Sequence, residues 1–325
     1  MIYVASDIHG CYDKYKALLE RLNLKEDDTL YILGDLVDRG EGGIKVILDL
    51  ISRNNVICLR GNHDHEAYIL LKIFAIPNDG YASEALMETF QLWLEDGGSV
   101  TYKAFLEISD EQKRNVLTFL NSLPLYEEVE VQGQKYHLSH TVPKKEKMLQ
   151  IDKCKLSDFI IGEPDYEFQY FKDVVLVTGH TPTGFIDPDY KGRIWKGNNH
   201  IAVDCGAVFG NPLGCICLDT MEEIYVNTIK LWLDDIREAP GGYYHCKSVN
   251  EAKKKIVECE QEGTVIDVID CDHDLGDYAE DGGDGIKLLD WLVERKTFYP
   301  INLHTMNPVG RENMLREIER YWNAK

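Results

Sequence analysis

The sequence predicts a two-part α/β protein, with a larger unit over residues 1–228 and a smaller one over 229–325. Three observations lead there. Short apolar, β-branched runs alternate with stretches of helical periodicity from Met1 onward. Each run ends in a polar loop carrying carboxylates or imidazoles, where α/β sheets put their chemistry. After Asn227 the alternation begins afresh, and 325 residues suffice for two separate cores.

Taken in order, Met1–Ala5 reads as a strand and Tyr12–Leu22 as a helix with Tyr15, Leu18, Leu19 and Leu22 on one face. The run Thr29–Leu33 is a buried strand that spills into Gly34-Asp35-Leu36-Val37-Asp38-Arg39-Gly40. A helix over Gly43–Ser52 places Ile44, Ile47, Leu48 and Ile51 at core spacing, and a strand over Asn55–Leu59 leads into Arg60-Gly61-Asn62-His63-Asp64. Right-handed crossovers put these three loops on one edge of one sheet. Helices over Ala67–Phe74, Ala82–Trp93 and Asp110–Ser122, broken at Asp96-Gly97-Gly98, form an inserted helical part. A hairpin of Tyr126–Val131 and Lys135–Ser139 delivers His140, and the strand Val174–Val177 delivers His180. Ile201–Cys205 and Cys215–Leu218 continue the same sheet, and Glu223–Asn227 closes it. In the second unit, strands are expected at Lys230–Leu233, Thr264–Cys271 and Ile301–Leu303. Helices are expected at Val249–Glu262, Asp284–Glu294 and Arg311–Trp322.

The net charge of −21, divided as −14 and −7 between the units, excludes a general duplex nucleic-acid or anionic-membrane binder. Nine cysteines without a CxxC pair read as reduced thiols. With no secretory pattern and no apolar run of about 18 residues, the expected location is the cytoplasm.

Asp7, His9, Asp35, Asn62, His63, Asp64, His140 and His180 all fall at strand ends. Carboxylate, imidazole and amide oxygen are a ligand set for two divalent cations, with Asp35 the natural bridge. Ser6-Asp7-Ile8-His9-Gly10, Gly34–Gly40, Arg60–Asp64, His140 and Gly179-His180-Thr181-Pro182 resemble the motif series of calcineurin-like metallophosphoesterases. So do Trp93-x3-Gly97-Gly98-x2-Thr101 and Asp204–Phe209. The nearest branch is the phosphoprotein phosphatases, especially compact bacterial and phage serine/threonine enzymes. The resemblance implies a β-sandwich flanked by helices. It implies one metal on Asp7, His9 and Asp35, and another on Asp35, Asn62, His140 and His180. It makes His63 a general acid oriented by Asp38, and Arg39 and Arg60 a phosphate clamp. Mn²⁺ is the first expectation, with Fe and Zn as alternatives. Two departures stand out: His140-Thr141-Val142 replaces the usual His-Ala-Gly or His-Gly-Gly, and Glu163 stands where a phosphate-binding Arg is usual. Lys144, Lys145 and Lys147 are the candidates to replace that charge.

In the second unit Asp234-Asp235-Ile236-Arg237, Asp272-His273-Asp274 and His304 through Asn307 lie at three strand ends. An acid pair plus a central Asp is the Mg²⁺ layout of receiver domains. The three motifs together are similar to the cyclic-phosphate-processing receiver-like domain, a receiver derivative found beside RNA-repair enzymes. The implied phosphate or metal site is Asp234, Asp235, Arg237, Asp272, His273, Asp274, His304 and Asn307. The leading reading is therefore a dinuclear phosphoesterase acting on phosphomonoesters at nucleotide or RNA ends. The alternative is a serine/threonine phosphoprotein phosphatase with a regulatory C-terminal sensor.

Overall fold

The computed structural model describes residues 1–76, 83–148 and 153–322. The helix start expected at Ala82 lies outside them. The chain divides into two compact units, Met1–Val226 and Asn227–Lys325.

The first unit contains β1 (Ile2–Ala5), β2 (Thr29–Ile32), β3 (Val56–Cys58), β4 (Tyr126–Val131), β5 (Gln134–Ser139), β6 (Val174–Thr178), β7 (Trp195–Gly197), β8 (His200–Ala202), β9 (Leu213–Cys217) and β10 (Glu223–Val226). They form two five-stranded sheets, β10-β9-β1-β2-β3 and β4-β5-β6-β8-β7. The strands that alternation alone runs together into one sheet thus form two, the sandwich that the family resemblance implies. The reason is the core: Val4, Leu33 and Leu59 of the first sheet pack against Leu138, Val177 and Ile201 of the second. Strands read as neighbours in one layer are opposite one another in a sandwich, a distinction that alternation along a strand does not carry. β1, β2 and β3 run parallel, as do β5, β6 and β8. The loops after β1, β2, β3, β5 and β6 deliver Asp7, Asp35, Asn62, His140 and His180.

The helix Tyr12–Leu22 buries Tyr15, Leu18, Leu19 and Leu22 as its periodicity predicts. The helix Gly43–Leu50 buries Ile44, Val46, Ile47 and Leu50 instead of the expected Leu48 and Ile51. It stops at Leu50, leaving Ile51 on an exposed turn. The third helix begins at Asn62, five residues earlier than expected, because the Asp64 carboxylate accepts the Gly61 amide at 3.0 Å and closes its first turn. Two helices, Glu84–Trp93 and Ser99–Glu107, are joined through Leu94–Gly98, and the second of them is absent from the sequence reading.

The second unit is an all-parallel sheet of β11 (Thr228–Leu233), β12 (Tyr243–Cys246), β13 (Val265–Cys271) and β14 (Ile301–Leu303) in the order β12-β11-β13-β14. Helices Val249–Glu262, Ile286–Arg295 and Pro308–Tyr321 accompany it, with Ile256, Leu289, Leu292 and Met314 in its core. β12 escapes sequence reading because Tyr243-Tyr244-His245-Cys246 is short and partly exposed. Among the described residues no helix is long and apolar enough to cross a membrane.

Gly97 ties the helical insert to the central loop. Its φ is +103°, its carbonyl accepts the Arg39 amide at 3.0 Å, and a Cβ there would lie 2.8 Å from the Arg39 nitrogen. Gly133 also has positive φ, but a Cβ would meet nothing within 4 Å. Gly97→Ala is therefore expected to cost about 2–3 kcal/mol in denaturant unfolding, against about 1 kcal/mol for Gly133→Ala. Equal costs for the two would remove the steric argument.

Candidate metal centre

The loops after β1 and β2 are stitched by backbone bonds: Asp7 to the Gly34 carbonyl at 3.1 Å, His9 to Asp35 at 2.8 Å, and Gly10 to Leu36 at 3.0 Å. Within them Asp7, His9, Asp35, Asp38 and Arg39 all have positive φ, as does His180. Non-glycine residues persist there only when their surroundings over-determine them, and such strain gathers at functional sites. Gly61 is needed for a different reason. A Cβ on it would lie 2.1 Å from Asp35 Oδ1.

Six side chains converge at this edge. Asp35 Oδ2 lies 3.4 Å from His9 Nε2 and 3.6 Å from His140 Nε2. His9 Nε2 is 3.9 Å from Asp7 Oδ1. On the other side His140 Nε2, His180 Nδ1 and Asn62 Oδ1 are mutually 2.9–3.1 Å apart. The tautomers follow from the neighbours. His9 Nδ1–H donates to the Val37 carbonyl at 3.0 Å and His140 Nδ1–H to that of Leu33 at 2.7 Å, so each Nε2 presents a lone pair. Burial lowers the pKa of His9, and burial together with His140 brings His180 to about 4, so both rings are neutral at pH 7. Burial pushes Asp35 toward its neutral form, but the charge that neighbouring imidazoles carry when protonated, His140 and His63 foremost, outweighs it and holds the carboxyl below its usual value.

The result is a buried set of acceptors facing one another. Among the described residues Asp7 Oδ1 has no hydrogen-bond partner, while its Oδ2 receives Ser6 Oγ–H and the His180 amide. An orphaned buried carboxylate oxygen beside converging lone pairs is costly unless a cation joins them. These residues therefore fit divalent metals. Asp7, His9 and Asp35 would hold one, and Asp35, Asn62, His140 and His180 the other, with oxygen and nitrogen donors suited to Mn, Fe or Zn. The Arg39 guanidinium is also there and donates to His9 Nε2 at 3.0 Å.

Beside this set lies His63, whose Nδ1–H donates to Asp38 Oδ2 at 2.8 Å. Asp38 is fully buried and also receives Trp93 Nε1–H at 2.8 Å and Thr101 Oγ–H at 2.7 Å. Burial alone would lower the His63 pKa, but the bond to Asp38 and the Asp35 charge raise it to about 9. The sequence motif contained Trp93, Gly97 and Thr101 without disclosing their common task, which is to hold Asp38 and its loop. Asp64 was likewise unassigned. It receives the Asp35 and Leu36 amides at 2.8 and 2.9 Å and so fixes the central loop from below.

The arginines part company. Arg39 stays at the cluster, 5.6 Å above the Phe209 ring. Arg60 is not brought there. Its guanidinium donates to the carbonyls of Leu120, Asn121 and Leu123 at the C-terminal end of the helix Asp110–Ser122, where carbonyls lack partners and the helix dipole favours a cation. The clamp expected of Arg60 is replaced by a brace. Glu163 pairs with Lys144, Asp165 with Lys145 and Asp158 with Lys147, so each candidate lysine has an acidic partner.

In the second unit Arg237 bridges the acids. Its Nε–H donates to Asp234 Oδ2 at 2.6 Å, one NH₂ group to Asp272 and the other to the His304 carbonyl at 2.8 Å. His304 Nε2 reaches Asp234 Oδ2 at 3.0 Å, and its ring stacks on Trp232 at 3.7 Å. Asp234 Oδ1 is taken by the amides of Ile236 and Arg237. Asp234, Asp272 and His304 bring three possible ligand atoms within 4.8 Å of one another, and the Arg237 guanidinium lies between the two carboxylates. His273, Asp274 and Asn307 form a neighbouring group in which His273 and Asn307 both bond Asp274 Oδ1. Asp284 lies close to His273 and Asp274. Asp235 stands apart from both groups, against Gly276. Asp270, which the sequence places at the same strand end as Asp272, receives Tyr243 Oη–H at 3.0 Å.

Residues 1–211 match the family model described as calcineurin-like phosphoesterase, and residues 229–320 the one described as cyclic-phosphate processing receiver domain. A symmetrical bis(5'-nucleosyl)-tetraphosphatase of Hamiltonella defensa is 44% identical over 64 residues, 19% of this chain and 23% of that protein. The Salmonella paratyphi B counterpart is 44% identical over 75 residues, 22% and 26% of the two chains. The alignment spans about a quarter of the length of these relatives. A solved structure provisionally assigned as a diadenosine tetraphosphatase is 19% identical, covers 70% of this chain and 92% of its own, and has a TM-score of 0.48.

The Asp38 bond makes a prediction about His63. In metal-free protein, NMR titration should place the His63 pKa near 9, and Asp38→Asn should bring it below 7, since burial then acts unopposed by the hydrogen bond. A shift of less than half a unit would sink this account.

Proposed function

Because the chain belongs to the calcineurin-like phosphoesterase family, we propose that it hydrolyses phosphomonoesters at nucleotide or RNA ends, using two divalent cations at the Asp35 cluster. The observation that carries this is the buried acceptor set of Asp7, His9, Asp35, Asn62, His140 and His180. When bound, a pair of cations supplies the charge that acidifies water and offsets the negative phosphoryl oxygens. The protein's own groups do the rest. Arg39 offers a guanidinium fork to the phosphoryl oxygens. His63, held by Asp38 through Nδ1, keeps its proton on Nε2 and gives it to the departing alkoxide.

The nucleotide or RNA-end assignment rests on the second unit's match to a cyclic-phosphate processing domain and on the nucleoside tetraphosphate relatives. In this reading the second unit handles the cyclic end with Arg237, His304 and the acids they neutralise. The first unit removes the monoester so produced. Mn²⁺ is the proposed ion and the cytoplasm the proposed site of action.

Mn²⁺-reconstituted protein should bind about two ions per chain. It should open and then dephosphorylate an RNA oligonucleotide ending in a 2′,3′-cyclic phosphate. Asp35→Asn should lower monoester hydrolysis by about 10³-fold or more, and Asp272→Asn should stop ring opening alone. Turnover of a phosphopeptide only, indifferent to Asp272→Asn, would assign the protein to phosphoprotein substrates with a regulatory C-terminal unit.

A further inference from the structure

A cavity of about 300 Å³ opens beside the metal cluster, lined by Pro182, Phe185, Lys191, Cys205, Phe209 and Asn211. Its lining is mostly apolar, and two of its walls are phenylalanines left in solvent: Phe209 is 60% exposed and Phe185 82%. Single exposed apolar residues need no explanation. Two on one cavity, reached from the ligand loop that carries His180, are a different matter.

Both walls are rigidly mounted. The loop bearing Phe209 is held from beneath by Lys14, a buried residue of the helix Tyr12–Leu22, whose ammonium donates to the carbonyls of Ala207 and Asn211 at 2.8 and 2.7 Å. Asn211 Nδ2–H donates to the Gly206 carbonyl at 3.3 Å, and the Gly206 amide to Asp204 Oδ1 at 2.8 Å. On the opposite wall, Thr183 donates its amide to the Asp204 carbonyl at 2.9 Å and its hydroxyl to that of Tyr190 at 2.9 Å. The exposed rings thus sit on braced backbone, which is the condition for a preorganised stacking platform.

One wall of the cavity also reaches the chemistry. The Phe209 ring that forms its wall lies under the Arg39 guanidinium at 5.6 Å, and Arg39 in turn reaches His9. A group bonded to a phosphate at Arg39 would project onto Phe209. Lys191 adds a positive charge to the wall of a chain whose net charge is −21, favouring an anionic or phosphate-bearing ligand. The volume is at the small end for ligand pockets, enough for one heteroaromatic ring system.

We propose that this cavity seats the nucleobase of a nucleoside phosphate whose phosphate lies at Arg39, with Phe209 and Phe185 as stacking walls. The assignment rests on the phosphoesterase reading above and makes the two phenylalanines specificity determinants.

Two measurements test it on the full chain. The first is the ratio of KM for glycerol 2-phosphate to KM for adenosine 5′-monophosphate with the Mn²⁺-loaded protein. The second is calorimetric binding of adenosine 5′-monophosphate to the metal-free protein. The ratio should exceed about ten and fall by about tenfold in Phe209→Leu and in Phe185→Ala, with Phe209→Trp retaining it. Binding should weaken by a similar factor in the same two variants. If glycerol phosphate and the nucleotide are turned over with equal KM in all forms, the pocket assignment is overturned and the phosphoesterase reading stands. If the nucleotide binds in a Phe209-dependent way but neither ester is hydrolysed, the pocket stands and the phosphoesterase reading falls.

Discussion

Asp35 Oδ2 lies between two imidazole nitrogens, 3.4 Å from His9 Nε2 and 3.6 Å from His140 Nε2. Facing acceptors of this kind in a buried site repel one another, and only a cation reconciles them. The rest of the first unit follows from holding them in place. Positive φ at Asp7, His9, Asp35 and His180 is tolerated because backbone bonds between loops and the Asp64 carboxylate leave those residues no alternative. The helical insert serves the same end from the side, since Trp93 and Thr101 saturate Asp38 and Gly97 anchors Arg39. Stability is spent on preorganisation, as expected where positive charge is to be gathered around a developing phosphoryl transition state.

Much of this was legible in the sequence because strand-end loops are contiguous motifs. Their order states that Asp7, Asp35, Asn62, His140 and His180 share an edge, and the structure brings these five side chains together. What was not legible depends on partners distant in sequence. The second sheet came from which apolar faces oppose one another, seen in Val4 and Leu33 against Val177 and Ile201. Arg60 reads as a phosphate ligand only if its guanidinium points at the loop it begins. The carbonyls of Leu120 and Asn121, sixty residues on, point it elsewhere. A motif specifies the residue, and the packing behind it specifies the direction.

The two units use similar residues to opposite electrostatic ends. In the first, among the described residues, Asp7 Oδ1 is left without a donor and Arg39 reaches His9 but neither Asp7 nor Asp35. In the second, Arg237 spans Asp234 and Asp272 while His304 bonds Asp234 and stacks on Trp232, so the positive charge is supplied covalently by the chain. Arg237 stands three positions after Asp234, and Asp234 Oδ1 caps the turn between them, so the arginine is folded back onto its own acid. A local turn therefore decides whether the chain's own cation reaches an acid pair at a strand end. Counting carboxylates does not disclose this, because an acid pair of receiver type is the same sequence signal with or without an arginine folded onto it.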